Sequence, residues 1–187
     1  MTRIVAIGGS SSSISINKKF ASYAANLVSL KKNVIELDLR QYEMPIYSED
    51  LQNLSGIPKK AFDFKSEISN SDALVISLAE HNGSYTAAFK NIYDWVSVIE
   101  ETVWSNKPLI LLSTSDGKNA GNIVMQTALS RFSRQSKFEI PHFSLPEFNE
   151  NFSDKDGITD TTLIDELNKQ IKVFNSQVES LLDTSDN

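Results

Sequence analysis

Three stretches of this chain are apolar almost without interruption: residues 3–7 (RIVAI), Ala73–Leu78 (ALVISL) and Leu109–Thr114 (LILLST). A strand with one face in water alternates polar and apolar side chains, whereas a parallel strand covered by helices on both faces is apolar throughout. Between these runs lie segments with apolar residues at helical spacing. In 15–30 they are Phe20, Ala21, Ala24, Leu27 and Val28, and Pro58 can open a second helix that runs to about Ser69. Further helices are predicted over 86–100, 120–135 and 162–182. Residues 34–39 read as the second strand and 138–143 as a weaker fifth, while 40–58 (RQYEMPIYSEDLQNLSGIP) reads as irregular. The pattern predicts an α/β fold: a doubly wound, five-stranded parallel sheet in the order 2-1-3-4-5 with helices on both faces. Residues 1–187 are expected to form one domain, with the closing DTSDN frayed.

Several chemistries are excluded at once. Without cysteine there is no thiolate nucleophile, no Cys-ligated zinc, no iron–sulfur cluster and no disulfide framework. His81 and His142 are far apart in sequence, so no metal site is expected. With 18 Lys+Arg against 24 Asp+Glu, the net charge of −6 repels phosphate backbones and anionic lipid. No nucleic-acid partner is therefore expected. No apolar run approaches the roughly 20 residues that cross a bilayer, and IVAIGG is too short for the apolar core of a signal peptide. No membrane partner is expected, and the location is read as cytoplasmic.

In an open parallel sheet, ligands bind beyond the carboxyl ends of the strands. The loop after the first strand is GGSSSSISIN, residues 8–17. Its glycines permit a sharp turn, and the hydroxyls of Ser10, Ser12, Ser13 and Ser15 join the free N–H groups of the following helix, a combination suited to a monophosphate. A serine N-cap beside a solvated loop explains the same residues equally well. Neither GxGxxG nor GK[ST] is present. The loop after the third strand, AEHNGSYTAAFKN (79–91), carries the turn signal Asn82-Gly83 and the planar side chains of His81 and Tyr85. Taken alone, it is more simply a turn with a packed tyrosine. The loop after the fourth strand, STSDGKNAG (113–121), could hydrogen-bond the polar edge of a heterocycle, yet singly it is an ordinary strand-to-helix turn. Their convergence on one sheet edge favours a flat, phosphorylated ligand.

The stretches AIGGSSSSISIN, MPIYSEDL, SDALVISLAEHNGSYTAAFKNIYDWVS and KPLILLSTSDGKNAG, in this order, resemble the NADPH-dependent FMN reductase family of flavodoxin-like proteins, which also includes quinone, chromate and azo-dye reductases. The resemblance covers about residues 3–143. Its most specific part is 71–97, where Glu80, Asn82, Ser84, Lys90, Asn91, Asp94 and Trp95 fall in register with the family's pattern. It implies that FMN is bound by Ser10, Ser12, Ser15, Ile16 and Asn17 in the first loop, with Ser10, Ser15 and Asn17 on the phosphate. It also implies that Glu80, His81, Asn82, Gly83 and Ser84 meet the ring, and that Ser115, Asp116 and Gly117 line its other side. Lys90 and Asn91 are assigned to the helix and its packing.

Some positions depart from the pattern. Ser12 stands where the family usually has an arginine, Ala79 and His81 replace Pro and Tyr, and Thr86-Ala87 replace Pro-Gly. Asp116 adds a carboxylate which, if it points inward, should lower the potential of the bound flavin.

The function so implied is the passage of a hydride from NADPH or NADH, through FMN, to a quinone, free flavin or similar small-molecule acceptor. Because the cofactor carries the chemistry, no catalytic side chain is assigned. Two alternatives stand beside it: an FMN electron carrier that does not turn over NADPH, and a protein that retains no flavin. The apolar stretch from Trp95 to Trp104 is consistent with core packing. The resemblance adds a homodimer or homotetramer in which residues 40–51 help to cover the ring.

Overall fold

The computed structural model describes residues 1–185. Five parallel strands form the sheet: β1 Thr2–Gly8, β2 Lys32–Leu37, β3 Ala73–Leu78, β4 Leu109–Thr114 and β5 His142–Leu145, in the order β2-β1-β3-β4-β5. This is the predicted flavodoxin-like order. The helices are α1 Ile16–Leu27, α2 Glu49–Ser55, α3 Lys59–Ser69, α4 Ala87–Ser97, α5 Asn122–Phe132, α6 Phe148–Asn151 and α7 Thr161–Ser185.

The continuous apolar runs are explained by burial on both faces. Ile4 and Ala6 pack with Phe20 of α1 and Leu167 of α7. Val5 and Ile7 point the other way, toward Phe64 of α3, Phe89 of α4 and Val124 of α5. Trp95, Val96, Val103 and Trp104 are all buried within the chain, so core packing accounts for that apolar stretch without any partner subunit. Asn91 holds the 44–47 segment, donating from Nδ2 to the carbonyls of Met44 and Pro45 and accepting from the Tyr47 amide.

The structure corrects several boundaries. The fifth strand occupies His142–Leu145 rather than 138–143, because the pairing with β4 begins at Leu111 opposite His142. Pro141 has no N–H for a ladder; it accepts from Leu111 through its carbonyl. The stretch read as irregular, 40–58, holds most of a 3-10 turn, Leu39–Tyr42, and all of α2, capped by the Ser48 hydroxyl and stopped at Gly56 with φ of 74°. Two short hairpins, Glu80–His81 with Ser84–Tyr85 and Phe152–Ser153 with Gly157–Ile158, were not foreseen. Residues 183–185, expected to fray, are helical, and Asp186 and Asn187 lie outside the described residues.

Candidate functional site

The carboxyl ends of β1, β3 and β4 lie side by side, with Gly8 opposite Ser77 and Leu78 opposite Ser113. Beyond them is a cleft of about 340 Å3. One wall is the serine loop, which folds on itself: the amides of Ser12 and Ile14 donate to the hydroxyls of Ser10 and Ser12, and the Ser15 hydroxyl caps α1 by accepting from the Lys18 amide at 3.1 Å. Among the described residues, the amides of Ser13, Ile16 and Asn17 have no hydrogen-bond partner. These donors meet the positive end of the α1 dipole. Gly8 permits the approach, since a Cβ there would lie 2.5 Å from the backbone of Lys18.

Asn17 is 3% exposed, and its side chain is used within the protein. Nδ2 donates to the Thr114 carbonyl at 3.1 Å, while Oδ1 accepts from the Ser77 hydroxyl at 2.7 Å and the Thr114 amide at 3.2 Å. The amide group therefore ties α1 to the ends of β3 and β4. The backbone N–H of Asn17 has no partner and is left for a phosphate.

The second wall is the first strand of the 80–85 hairpin, Glu80 and His81. Asn82 and Gly83 have φ of 53° and 74°, the left-handed pair that a two-residue hairpin turn requires. The hairpin is fastened at both ends. At its start, Glu80 Oε2 accepts from the Val124 amide at 2.9 Å, in the first turn of α5. At its end, the buried Thr86 hydroxyl donates to the Gly9 carbonyl at 2.7 Å and accepts from the Phe89 amide at 3.2 Å, capping α4. Thr86 thus supplies by hydrogen bonding the stiffness that a proline would supply covalently. Tyr85 turns inward against Phe89 and Phe132, where burial pushes its phenol well above the usual range.

The third wall is 114–116. Ser115 exchanges hydrogen bonds with Gly117. Asp116 is exposed, and its carboxylate accepts from Asn149 Nδ2 at 2.7 Å, which holds it at the rim. Nearby, at the end of β2, the guanidinium of Arg40 and the ammonium of Lys18 hold the Asp38 carboxyl far below the usual carboxylate range.

The sequence model of the NADPH-dependent FMN reductase family matches residues 2–150. The chain belongs to this family. It is 32% identical over 128 residues to a 2-hydroxy-1,4-benzoquinone reductase from a Burkholderia species, spanning 68% of this chain and 67% of that protein. It is 32% identical over 116 residues to an NAD(P)H-dependent FMN reductase of Pseudomonas aeruginosa, spanning 62% of this chain and 61% of that protein. The match thus extends over about two thirds of these relatives. Among solved structures, FerB, a flavoenzyme NAD(P)H:(acceptor) oxidoreductase from Paracoccus denitrificans, superposes with a TM-score of 0.75 at 21% identity, covering 96% of this chain and 98% of that one. That likeness concerns the fold.

The donor set fits the family's cofactor. Unpaired amides and neutral hydroxyls at a helix N-terminus suit a phosphate dianion. Of the residues that sequence reasoning selected, Ser10, Ser12, Ser15, Ile16, Asn17, Glu80, His81, Ser115 and Asp116 line the cleft, while Asn82, Gly83, Ser84 and Gly117 stand outside its walls. Ile14, Ala79 and Thr114 also line it and were missed. Ala79 and Thr114 had a usable signal, since each ends or follows an apolar strand at its carboxyl end. Among the described residues no cluster of His, Asp and Glu could hold a metal ion.

Proposed function

We propose that this chain is an FMN-dependent NAD(P)H oxidoreductase acting on a quinone, free flavin or similar small acceptor, as a member of the FMN reductase family. The observation that carries the reading is the cleft at the ends of β1, β3 and β4, lined on one side by Ile16 and Asn17, whose backbone amides are unpaired, and on another by Glu80 and His81 of the hairpin. Bound FMN supplies the two-electron chemistry between the nicotinamide and the acceptor.

The protein's own part is binding and orientation. The Ile16 and Asn17 amides, with the hydroxyls of Ser10, Ser12 and Ser15, hold the phosphate without a cationic side chain. The hairpin presents its first strand, Glu80 and His81, to the ring, and Glu80 and Thr86 keep that hairpin in place. Ser115 closes the opposite side. No catalytic side chain is assigned, because the cofactor carries the chemistry.

The same reading makes residues 1–187 one flavodoxin-like domain, working as a homodimer or homotetramer in the cytoplasm. It includes no nucleic-acid or membrane partner. No helix among the described residues is long and apolar enough to cross a membrane.

The test is anaerobic. Purified protein titrated with FMN should quench flavin fluorescence at a stoichiometric end point, and NADPH should then bleach the flavin within a turnover time. FMN binding without bleaching would support the electron carrier instead. No change on adding FMN would refute both.

A further inference from the structure

A groove larger than the cofactor cleft lies across the serine loop. It holds about 520 Å3, and Ile14 and Ser15 line both spaces, so the two adjoin across the crest of the loop. Its inner wall is aromatic and fixed. The Tyr23 ring meets Phe152 edge-on at 5.3 Å, and Gly157 lies so close beneath it that a Cβ there would sit 2.0 Å from Tyr23 Cε2.

The charges around the groove are mostly satisfied. Lys19 pairs with Asp154 at 2.7 Å and Lys18 with Asp38 at 3.2 Å. Glu36 accepts from the Ser22 hydroxyl, and the Asp156 carboxylate accepts from the Ser153 hydroxyl at 3.5 Å. By contrast, Lys155, exposed at the hairpin tip, has no ionic or hydrogen-bond partner among the described residues, and neither do the hydroxyls of Ser13 and Tyr23. A groove with an aromatic wall, free hydroxyls and one uncommitted cation suits a base, a sugar and a single anionic group.

We propose that this groove receives the adenosine half of NADPH, with adenine against Tyr23 and Phe152 and the 2′-phosphate on Lys155. The inference rests on the reading that the neighbouring cleft holds FMN and that a nicotinamide reduces it. A nicotinamide placed over the ring leaves its pyrophosphate to cross the serine crest, where the Ser13 hydroxyl is free, and its adenosine to continue into the groove. NADPH and NADH differ only in the 2′-phosphate, so Lys155 becomes the residue that favours NADPH.

The experiment is calorimetric titration of the FMN-loaded protein with adenosine 2′,5′-bisphosphate and, separately, with 5′-AMP. The bisphosphate should bind about three- to tenfold more tightly, a difference that one partly exposed charge-assisted contact supplies, and the gap should narrow as salt is raised. In Lys155→Ala the gap should close, while the FMN content stays at one per chain. Equal affinities in the parent protein, a gap that survives in Lys155→Ala, or displacement of FMN by the bisphosphate would each overturn the proposal. FMN titration of the same sample tests the cofactor reading separately. If FMN binds and NADPH bleaches it while the bisphosphate does not bind, only the groove assignment fails; if FMN does not bind, the functional reading fails first.

Discussion

Replacing Thr86 by valine keeps the shape of the side chain and deletes one hydroxyl. That hydroxyl makes two contacts, donating to the Gly9 carbonyl at 2.7 Å and accepting from the Phe89 amide at 3.2 Å, at a site 3% exposed. Removing an N-cap costs about 1 kcal/mol. Losing a buried hydrogen bond, and stranding the carbonyl it satisfied, costs about another 1–2 kcal/mol. The sum, about 2–3 kcal/mol, should lower the melting temperature of a chain this size by roughly 5–10 °C. Thr86→Ser retains the hydroxyl and should recover most of that loss. Thermal unfolding followed by circular dichroism measures both variants, and FMN titration should show weaker binding in the valine variant because the two cofactor loops are no longer tied. If Thr86→Val melts within about 1–2 °C of the parent, or Thr86→Ser melts as low as Thr86→Val, the hydroxyl does not join the loops as described.

Gly157→Ala places a Cβ 2.0 Å from Tyr23 Cε2 at a φ of 74° and should destabilise by about 2–4 kcal/mol in urea unfolding; adding Tyr23→Ala should recover the steric part alone. Asp116→Asn should raise the potential of the bound flavin by only about 10–30 mV, since its charge is exposed, screened and held at the rim by Asn149. A dye-equilibrium titration showing a fall, or a shift well beyond that range, would contradict the rim placement. The Asp38 carboxyl has its folded-state pKa depressed by Arg40 and Lys18. Its stabilisation is therefore full above its unfolded-state pKa, near 4, and is lost as pH falls below that. Asp38→Asn should be less stable than the parent at pH 7 and should show a shallower loss of stability on acidification, as read from denaturant midpoints.

The sheet was legible in the sequence because both of its faces are buried, which leaves a run such as ALVISL no polar position. The Asn82-Gly83 turn was legible for a local reason, since few other pairs accept positive φ at both positions. The fifth strand was harder. His142 is exposed while Phe143 and Leu145 are buried, so it alternates as an edge strand does, and its register is set by β4 rather than by its own composition. The α2 helix buries no residue and so has no apolar periodicity; its only signals are Ser48, the acidic pair Glu49 and Asp50, and Gly56. In the site, residue types pointed to loops that line one cleft but not to how each side chain is used. The side chains of Asn17 and Glu80 also hold the walls together, through partners distant in sequence, Thr114 and Val124, that the sequence does not reveal.

The bracing by Asn17 has a consequence for how a cofactor would come and go. A single carboxamide already spans the tips of neighbouring strands, so the rim is preorganised and association demands little ordering of the backbone. Uptake of FMN should therefore leave amide exchange in the strand interiors unchanged, and slow exchange only along the crest formed by residues 10–16.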